Sequence, residues 1–454
     1  MTLGLETPWS ATRSLLALGA ALLTTSGLGS TADASAHGKA QVPGQVVVTY
    51  REAAPEASRA AVRRAVGVRA ARVIGARTQL VRIHDGDSVD ATVRQLRARP
   101  EVAAAAPNVI AHASGWIPRD PGLTETPGGW QAAQWNFAGP FGINAPDAWM
   151  NLIEAGRPGG RGTTVAVLDT GVAYRRHGRH RRSPDFDSGD FVRGYDFVDR
   201  DRFPDDENGH GTHVAGTIGE STDNGVGVTG LAYGAKLMPV RVLDQTGSGD
   251  SVRIAAGIRY AVRRGADVVN LSFEFASGTT GRELPDVLAA LRYAHRHGVL
   301  VVAAAGNGGE SALAYPARAR HVVSVGAITE RGCLAAYSNA GGSLDIVAPG
   351  GGPDASVAGD PRCQPEAPGG DILQVTFSGS LRSFGLPGDY FGTSMDAPHV
   401  SATAALIVAS GVLGPHPSSD AIEAQLKATA RPLGPVADYG AGLVDAAAAT
   451  HAPR

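Results

Sequence analysis

From residue 130 onward, short and almost continuously apolar runs alternate with longer segments in which apolar residues recur every three or four positions. The short runs are typical of strands buried on both faces, and the longer periodic segments predict helices. The predicted strands are 164–168, 236–242, 268–271, 299–304, 321–325 and 344–347. The predicted helices are 211–220, 250–264, 284–297 and 394–410. This alternation predicts an α/β fold, a doubly wound and mostly parallel sheet with helices on both faces.

The front of the chain has a different pattern. A β-branched run and an Arg-rich amphipathic segment are followed by a second apolar run, a second amphipathic segment and a last apolar run. The corresponding ranges are 44–50, 57–66, 79–83, 89–98 and 102–108. We therefore predict a small α+β unit ordered strand, helix, strand, helix, strand. A Pro- and Gly-rich stretch at 114–129 then predicts a linker.

The N-terminus contains a short apolar stretch, residues 15–23, between Arg13 and a run of small residues at 32–36. This is the layout of a secretory signal peptide, and the stretch is too short for a stable membrane anchor. The alternative is a disordered N-terminus or a misassigned start. The predicted organisation is a signal peptide at 1–36, a front unit at 37–113, the linker and a main domain at 130–454. A signal peptide predicts a secreted, extracellular protein.

Charge is unevenly distributed between these parts. Residues 1–114 hold 13 Lys+Arg and 8 Asp+Glu, whereas residues 115–454 hold 28 and 35. A basic front piece and an acidic main piece attract each other, within the limits set by salt screening. Nucleic acid is not expected as a partner, because phosphate binding needs clustered Lys and Arg.

Three motifs carry candidate chemistry. Asp169 ends a predicted strand in VAVLDTGV, which places its carboxylate at the carboxyl edge of the sheet, although Asp there is often only a helix N-cap. His210 lies between glycines in NGHGTHVAGT, and with His213 it forms a conceivable metal pair. No Glu separates the two histidines as in zinc proteases, so a structural role for His213 is favoured. Ser394 opens a small-residue helix in FGTSMDAPHV, near the positive end of the helix dipole, or is simply its N-cap.

The three motifs together occur in the chain order Asp, His, Ser, and they resemble the subtilisin-like serine protease family (peptidase S8, subtilases). The resemblance extends from Gln134-Trp135 to residues 439–444, and the front unit resembles the inhibitory propeptide of that family. It implies that Ser394 is the nucleophile, that His210 is its base and that Asp169 orients the imidazole.

Asn307, in AAAGNGG, matches the oxyanion-hole asparagine of the family, although Asn between glycines is also an ordinary turn residue. The resemblance therefore implies a secreted serine endopeptidase that is matured by removal of its propeptide. Its partners would be protein or peptide substrates and its own propeptide, and a monomer is expected. Broad specificity is favoured. The alternatives are a narrow-specificity processing protease and a catalytically silent binding module with the same fold.

The resemblance also implies a substrate groove, in which a strand pairs with the substrate backbone. The implied groove residues are Leu271, Ser272, Phe273, Glu274, Ala305, Gly306 and Ala314. Phe273-Glu274-Phe275 stands where the family usually has two glycines after the serine. This bulk is expected to narrow the groove, and Glu274 to favour a basic side chain. Ala314 stands where Gly is common, so the preferred residue stays open.

A structural calcium ion is a further expectation from the family. The segment DNGVGV at 223–228 resembles a calcium loop, and oxygen ligands suit a hard cation. The implied ligands are Gln134, Asp185, Asn224, Val226 and Val228. Asp-Asn-Gly is also ordinary turn chemistry, which leaves the alternative of a loop without a metal.

Two further features are individual to this chain. Cys333 and Cys363 are its only cysteines, which predicts one disulfide in an oxidising compartment or two unrelated thiols in a reducing one. Cys363 lies in the segment 350–391, which is longer than the family norm. Asp396 follows Ser394 by two residues, where small residues are usual. Its carboxylate is expected either to perturb His210 or, the interpretation we favour, to face away along the helix.

Overall fold

The structure is a computed structural model. It describes residues 41–52, 54–84, 88–109, 116–124, 126–357 and 359–452. The predicted signal peptide lies outside the described residues, as does most of the junction between the front unit and the linker. The chain divides into two compact units, Met1–Ala113 and Ser114–Arg454. Among the described residues, no helix combines the length and the apolar character needed to cross a membrane.

The front unit is an antiparallel four-stranded sheet with two helices. Its elements are β1 Gln41–Tyr50, α1 Glu56–Val66, β2 Arg69–Val73, β3 Thr78–Arg82, α2 Val89–Arg97 and β4 Val102–Val109. The strand order is β2-β3-β1-β4. Val46 and Val48, which alternate along β1, are buried with Val62 of α1 and Leu96 of α2 in a core of their own. Helices and strands therefore share one small core, and the predicted α+β class is confirmed.

Strand β2 is the element that the hydrophobic pattern did not predict. Its five residues, RAARV, are all exposed. A strand with no buried face has no reason to alternate apolar and polar positions, so periodicity cannot detect it. It forms because β3 offers its free edge.

The main unit alternates strands and helices. Its strands are β5 Thr164–Asp169, β6 Tyr195–Asp196, β7 Lys236–Arg241, β8 Val268–Leu271, β9 Leu300–Ala304, β10 Val323–Ile328, β11 Ile346–Pro349, β12 Thr376–Phe377 and β13 Phe384–Gly385. Its helices are α3 Trp130–Ala133, α4 Trp135–Ala138, α5 Ala145–Glu154, α6 His210–Gly219, α7 Ser251–Arg263, α8 Pro285–Arg296, α9 Thr393–Ser410, α10 Ser419–Ala428, α11 Val436–Tyr439 and α12 Ala446–Thr450. The predicted α/β class is confirmed, and each predicted strand and helix of this unit has a counterpart.

Seven strands form one sheet in the order β11-β10-β9-β8-β5-β7-β6, and all of its neighbours pair in parallel. Both faces are covered. Along β5, Val165 and Val167 belong to one hydrophobic core, whereas Ala166 and Leu168 belong to the other. The chain order reverses at β5, which lies between β7 and β8. Ligand sites in open α/β sheets form at such a switch point, outside the carboxyl ends of the strands.

Residues 116–124 were predicted as part of a linker from their composition, but they are tied to the main unit. The Trp116 ring lies 5.8 Å from that of Trp149. The Trp130 indole donates to the Pro118 carbonyl at 3.0 Å, and the fully buried Asp120 accepts three backbone N–H groups. Pro and Gly restrict or permit backbone angles, and they do not reveal whether a neighbouring surface holds the segment.

Candidate active site

Asp169 and His210 meet at the carboxyl edge of the sheet. Asp169 is the last residue of β5, and His210 is the first of α6. Their side chains are joined by a 2.8 Å contact between Oδ1 of Asp169 and Nδ1 of His210. The Asp169 side chain is fully buried, while 27% of the His210 side chain is exposed. A buried carboxylate next to a reachable imidazole is an arrangement that makes the imidazole a base with one defined tautomer.

Two glycines allow this approach. A Cβ on Gly211 would lie 2.1 Å from the Gly171 carbonyl oxygen and 3.0 Å from Asp169 Cβ. Gly171 itself has a φ of 108°, a left-handed conformation that other residues rarely adopt. The start of α6 can therefore lie directly on the turn after β5, which brings the imidazole to the carboxylate.

Asp206 organises the same turn and was not identified from the sequence. Its Oδ2 accepts from both the backbone N–H and the hydroxyl of Thr212, and its Oδ1 accepts from the Thr170 hydroxyl and the Gly209 N–H. It thereby satisfies donors at the start of α6 and links them to the turn after β5. The signal in the sequence was an Asp four residues before His210. Such an Asp has too many ordinary roles to stand out.

Ser394 is anchored to the end of β8. Its hydroxyl donates to the Ser272 carbonyl at 3.0 Å, and the Ser272 hydroxyl donates to the Ser394 carbonyl at 2.8 Å. A buried chain of bonds supports this pair, since the Ser401 hydroxyl donates to Asn270, whose amide donates to Ser272. Leu271 of β8 pairs with Leu168, the neighbour of Asp169. The serine is therefore held at the sheet edge from which Asp169 projects.

Asn307 completes the group. Its Oδ1 accepts from the Thr393 N–H at 2.8 Å and from the Thr393 hydroxyl at 3.0 Å. These bonds tie the loop after β9 to the N-terminus of α9, and they leave the Nδ2 hydrogens of Asn307 for other acceptors. One acceptor is Glu274, whose Oε1 lies 3.3 Å from Nδ2. Asn307 is thus a side-chain donor beside Ser394.

The predicted groove residues line two neighbouring segments. Leu271 and Ser272 are buried at the end of β8, and Phe273 is partly buried against the core below the sheet. The Ala314 N–H donates to the Ala305 carbonyl at 2.9 Å. A cleft of about 70 Å³ lies beside them, and its lining includes Glu274 and Ala314.

A sequence profile of the subtilase family matches residues 160–442. The chain belongs to the subtilase family. A profile of the fervidolysin N-terminal prodomain matches residues 29–108. The resemblance inferred from the three motifs and from the front unit is therefore confirmed for both parts of the chain.

Individual relatives agree. The subtilase is 35% identical over 372 residues to a thermophilic serine proteinase from Bacillus sp. strain AK1, covering 82% of this chain and 79% of the relative. It is 38% identical over 292 residues to Subtilisin Savinase from Lederbergia lenta, covering 64% and 91%. A solved protease structure from Pseudoalteromonas arctica is similar, with 32% identity, a TM-score of 0.59 and coverage of 74% of this chain and 99% of that one. This subtilase is a subtilisin-like serine protease with a prodomain.

His213 of the subtilase is a buried structural residue. Its Nε2 lies 2.8 Å from the Ile372 carbonyl oxygen, to which it donates, and its ring stacks on Tyr390 at a centroid distance of 4.2 Å. Burial lowers the pKa of His213 to about 3, so the imidazole is neutral. The hydrogen bond to Ile372 and the stacking on Tyr390 support the structural role favoured from the sequence.

The loop at 223–228 of the subtilase lies over buried carboxylates. Asp185 accepts from Asn224 Nδ2 at 2.8 Å and from the Val228 N–H at 3.0 Å. Asp120 accepts from the N–H groups of Asp223, Asn224 and Gly225. Burial, with a further contribution from the Asp120 charge, raises the pKa of Asp185 to about 8.

The Gln134 side chain bonds to Thr229, next to this loop, and its role as a calcium ligand stays a prediction. Its Oε1 accepts from the Thr229 N–H at 3.0 Å, and its Nε2 donates to the Thr229 carbonyl at 2.8 Å. Both halves of the amide are thus used in pinning the loop backbone. Asp120, which the sequence analysis did not single out, supplies the additional buried carboxylate.

Glu220 adds a third buried carboxyl group. Its Oε1 accepts from the Val375 N–H at 2.9 Å, while its Oε2 has no hydrogen-bond partner among the described residues. Burial raises the pKa of Glu220 well above its ordinary value, and the charges of Asp185 and Asp120 raise it further. Glu220 is thus a buried carboxyl group whose ionisation is disfavoured by burial and by the charges of the two aspartates.

The cysteine pair and Asp396 are the two further features that are individual to this chain. Cys333 and Cys363 form a disulfide with a Cα–Cα distance of 5.2 Å. Asp396 is fully buried in α9, and neither carboxyl oxygen has a well-oriented hydrogen-bond partner among the described residues. Burial raises the pKa of Asp396 well above its ordinary value. Among the described residues, Asp396 makes no hydrogen bond to His210, and its orientation away from His210 along the helix stays a prediction.

Proposed function

We propose that this subtilase is an endopeptidase that hydrolyses peptide bonds in proteins with Ser394 as nucleophile, His210 as general base and acid, and Asp169 as the orienting carboxylate. The observation that carries the proposal is the 2.8 Å contact between His210 Nδ1 and the buried Asp169 at the switch point of the sheet. It leaves Nε2 as the nitrogen that exchanges protons with the serine and the leaving group.

The reaction begins when the Ser394 hydroxyl turns from the Ser272 carbonyl and gives its proton to His210 Nε2 as the oxygen attacks the substrate carbonyl. Burial by itself would lower the pKa of His210, but the Asp169 carboxylate reverses this and leaves the pKa raised. The imidazolium is thus stabilised as it forms. It then protonates the leaving amine. In the second half of the reaction, His210 takes a proton from water as the water attacks the acyl carbonyl, and it returns a proton to the Ser394 oxygen as the acyl group leaves.

The negative oxygen of the tetrahedral intermediate needs donors that are already in place. We assign these to Asn307 Nδ2 and to the backbone N–H of Ser394. The N–H and hydroxyl of Thr393 donate to Asn307 Oδ1, which fixes the orientation of the amide and leaves Nδ2 as the donor. Removal of one such donor in subtilisin, a worked case in the field, costs about 2.7–4 kcal/mol of transition-state stabilisation.

Substrates are recognised through their main chain over much of the groove. We assign this pairing to the backbone that follows β8, at Ser272 and Phe273, which would bind an extended peptide independently of its side chains. This supports cleavage of many sequences. A catalytically silent module is disfavoured, because all four groups of the mechanism are present and two of them, Asp169 and His210, are joined by a hydrogen bond.

Replacement of Ser394 by Ala tests the proposal. The variant should have no peptidase activity and should not mature by itself, so that it retains residues from about 37 onward. Mass spectrometry of the purified variant, incubated without any other protease, gives the result. Normal maturation of Ser394→Ala under these conditions would falsify self-processing by this serine.

We propose a structural calcium ion at the loop 223–228. The oxygens that would hold it are the carboxylates of Asp120 and Asp185, the side-chain oxygen of Asn224 and the carbonyls of Val226 and Val228. The two buried carboxylates that lie against the oxygen-rich loop support a cation here, because hard cations prefer oxygen ligands. When bound, calcium supplies positive charge that offsets the carboxylates and locks the loop. Gln134 then acts by positioning Thr229.

We further propose that residues 37–113 act as an inhibitor and folding aid, and that the enzyme is exported as a pre-pro-protein and works as a monomer outside the cell. The prodomain match and the opposite net charges of the two parts support this. A separately made 37–113 fragment should inhibit the mature enzyme, less so at high salt. Failure to inhibit at any ionic strength would assign the front unit another role.

A further inference from the structure

Glu274 contacts the amide that the proposed mechanism uses to stabilise the oxyanion. Its Oε1 accepts from the Asn307 backbone N–H at 3.0 Å and from Asn307 Nδ2 at 3.3 Å. Bonds from a carboxylate to two donors of one residue are charge-assisted and stronger than neutral ones. Glu274 therefore holds Asn307 while no substrate is present.

The second oxygen of Glu274 lies inside the cleft. A Cβ on Gly306 would lie 2.6 Å from Glu274 Oε2 and 3.0 Å from the Cβ of Ala314. The carboxylate thus shares the space that Gly306 leaves open with the Asn339 amide, whose Nδ2 would lie 2.3 Å from the same Cβ. The side chain is exposed, so a ligand can reach it from solvent.

The cleft is acidic on the side of Glu274. Its charged lining residues are Glu274, Glu310 and Arg318. The Ser277 hydroxyl donates to Glu310 at 2.6 Å, and the Arg318 guanidinium lies 6.0 Å from the centre of the Tyr315 ring. A cationic side chain that enters the cleft would meet the Glu274 carboxylate beside Ala314.

A carboxylate beside Asn307 opposes the proposed chemistry unless its charge is offset. The tetrahedral intermediate carries a negative oxygen at the donors of Asn307, and two negative charges at short range repel each other. A positive substrate side chain next to Glu274 removes this repulsion and competes with Asn307 for the carboxylate. The ion pair with Glu274 therefore binds the substrate side chain and at the same time releases the Asn307 amide from Glu274.

We propose that Glu274 determines specificity for Lys or Arg at the residue whose carbonyl is attacked, and that the ion pair releases Asn307 to serve as oxyanion donor. This rests on the proposed endopeptidase function and deepens it. Specificity elsewhere along the groove remains broad, because it depends on main-chain pairing. A neutral side chain leaves the Glu274–Asn307 contact in place, so discrimination occurs in kcat as well as in KM.

The test uses the mature enzyme and four peptides that differ only at this residue, which is Lys, Arg, Met or Glu. Wild type should cleave the Lys and Arg peptides with a kcat/KM at least about tenfold above that of the Met peptide, and the Glu peptide slowest. In Glu274→Gln, kcat/KM for Lys and Arg should fall, and kcat for Met should rise. The Lys-to-Met ratio should drop to within about threefold.

Glu283→Gln is the matched control, because Glu283 is an exposed glutamate whose side chain, among the described residues, bonds only to Thr280. It should keep the wild-type ratio. Equal rates on the Lys and Met peptides for wild type, or an unchanged ratio in Glu274→Gln, would overturn the proposal. Labelling by an organophosphate separates the two levels. If Ser394 is labelled but the enzyme cleaves the four peptides without preference, the role of Glu274 is refuted. If the enzyme is neither labelled nor active, the proposed function itself is refuted.

Discussion

Nδ1 of His210 lies 2.8 Å from Oδ1 of Asp169, and the carboxylate is fully buried while the imidazole reaches solvent. The contact holds the proton on Nδ1 and stabilises the imidazolium. The pKa of His210 is accordingly raised above 6.5, despite the opposing effect of burial. Because a protonated base cannot accept the serine proton, activity should be lost as the pH falls through this raised pKa.

Asp169→Asn tests this relationship. Without the carboxylate the pKa of His210 should fall, and the acid limb of kcat/KM should move to lower pH. The rate itself should drop by about 10⁴-fold, because the amide favours the wrong tautomer. A pH–rate profile measures both effects. Asp147→Asn, an exposed residue of α5, should leave the profile unchanged, and an unshifted acid limb in Asp169→Asn would contradict the assigned pair.

Removal of calcium should destabilise the enzyme. At free calcium about 100 times its dissociation constant, binding should add about 2.7 kcal/mol to the free energy of unfolding. Chelation should therefore lower the Tm, and Asp120→Asn or Asp185→Asn should abolish the difference between calcium and chelator. Differential scanning calorimetry measures it.

Gln134→Ala is the informative comparison for the calcium site. It removes two bonds to Thr229 and should lower the Tm in both conditions, with the calcium increment retained. Loss of that increment in Gln134→Ala would instead place its side chain among the ligands. A Tm of wild type that does not respond to calcium would argue against the site.

Asp396→Ala should stabilise the enzyme by about 1–3 kcal/mol at neutral pH, because it removes a buried carboxyl group without a well-oriented partner. The folded chain keeps a proton that the unfolded chain loses as the pH rises above the ordinary Asp value. The cost of Asp396 therefore grows with pH, and the gain from the substitution should be larger at pH 8 than at pH 3.5. Chemical denaturation at both pH values measures it. A destabilised variant, or a gain independent of pH, would contradict this account.

The disulfide should stabilise the main unit. Closing a separation of 30 residues contributes about 3–4 kcal/mol in the chain-entropy model. The double variant Cys333→Ser, Cys363→Ser should unfold at correspondingly lower denaturant concentration, with kcat/KM little changed. Treatment with a reductant should lower the free energy of unfolding of the wild type and leave that of the double variant unchanged. Equal stability of both proteins would show that the bridge constrains nothing.

Much of the architecture was predictable from local sequence, and so were the residues that meet at the candidate active site. Buried parallel strands are continuous apolar runs, and small residues around Asp169, His210 and Ser394 mark places where backbones approach closely. Elements without such a pattern were not predicted. Helix α5 and the exposed strand β2 are examples, since one begins in a Pro-containing segment and the other buries no side chain.

The sequence by itself determined the α/β class, because strand burial leaves local patterns, and its resemblance to the subtilases indicated the prodomain and the three candidate catalytic residues. The tertiary structure alone decided which distant residues meet. Asp120 accepts hydrogen bonds from the backbone of residues 223–225, Asp206 caps α6, and Glu274 bonds to Asn307. Each contact joins segments that are separate in the chain, and a carboxylate's role depends on the donors and charges that folding brings to it.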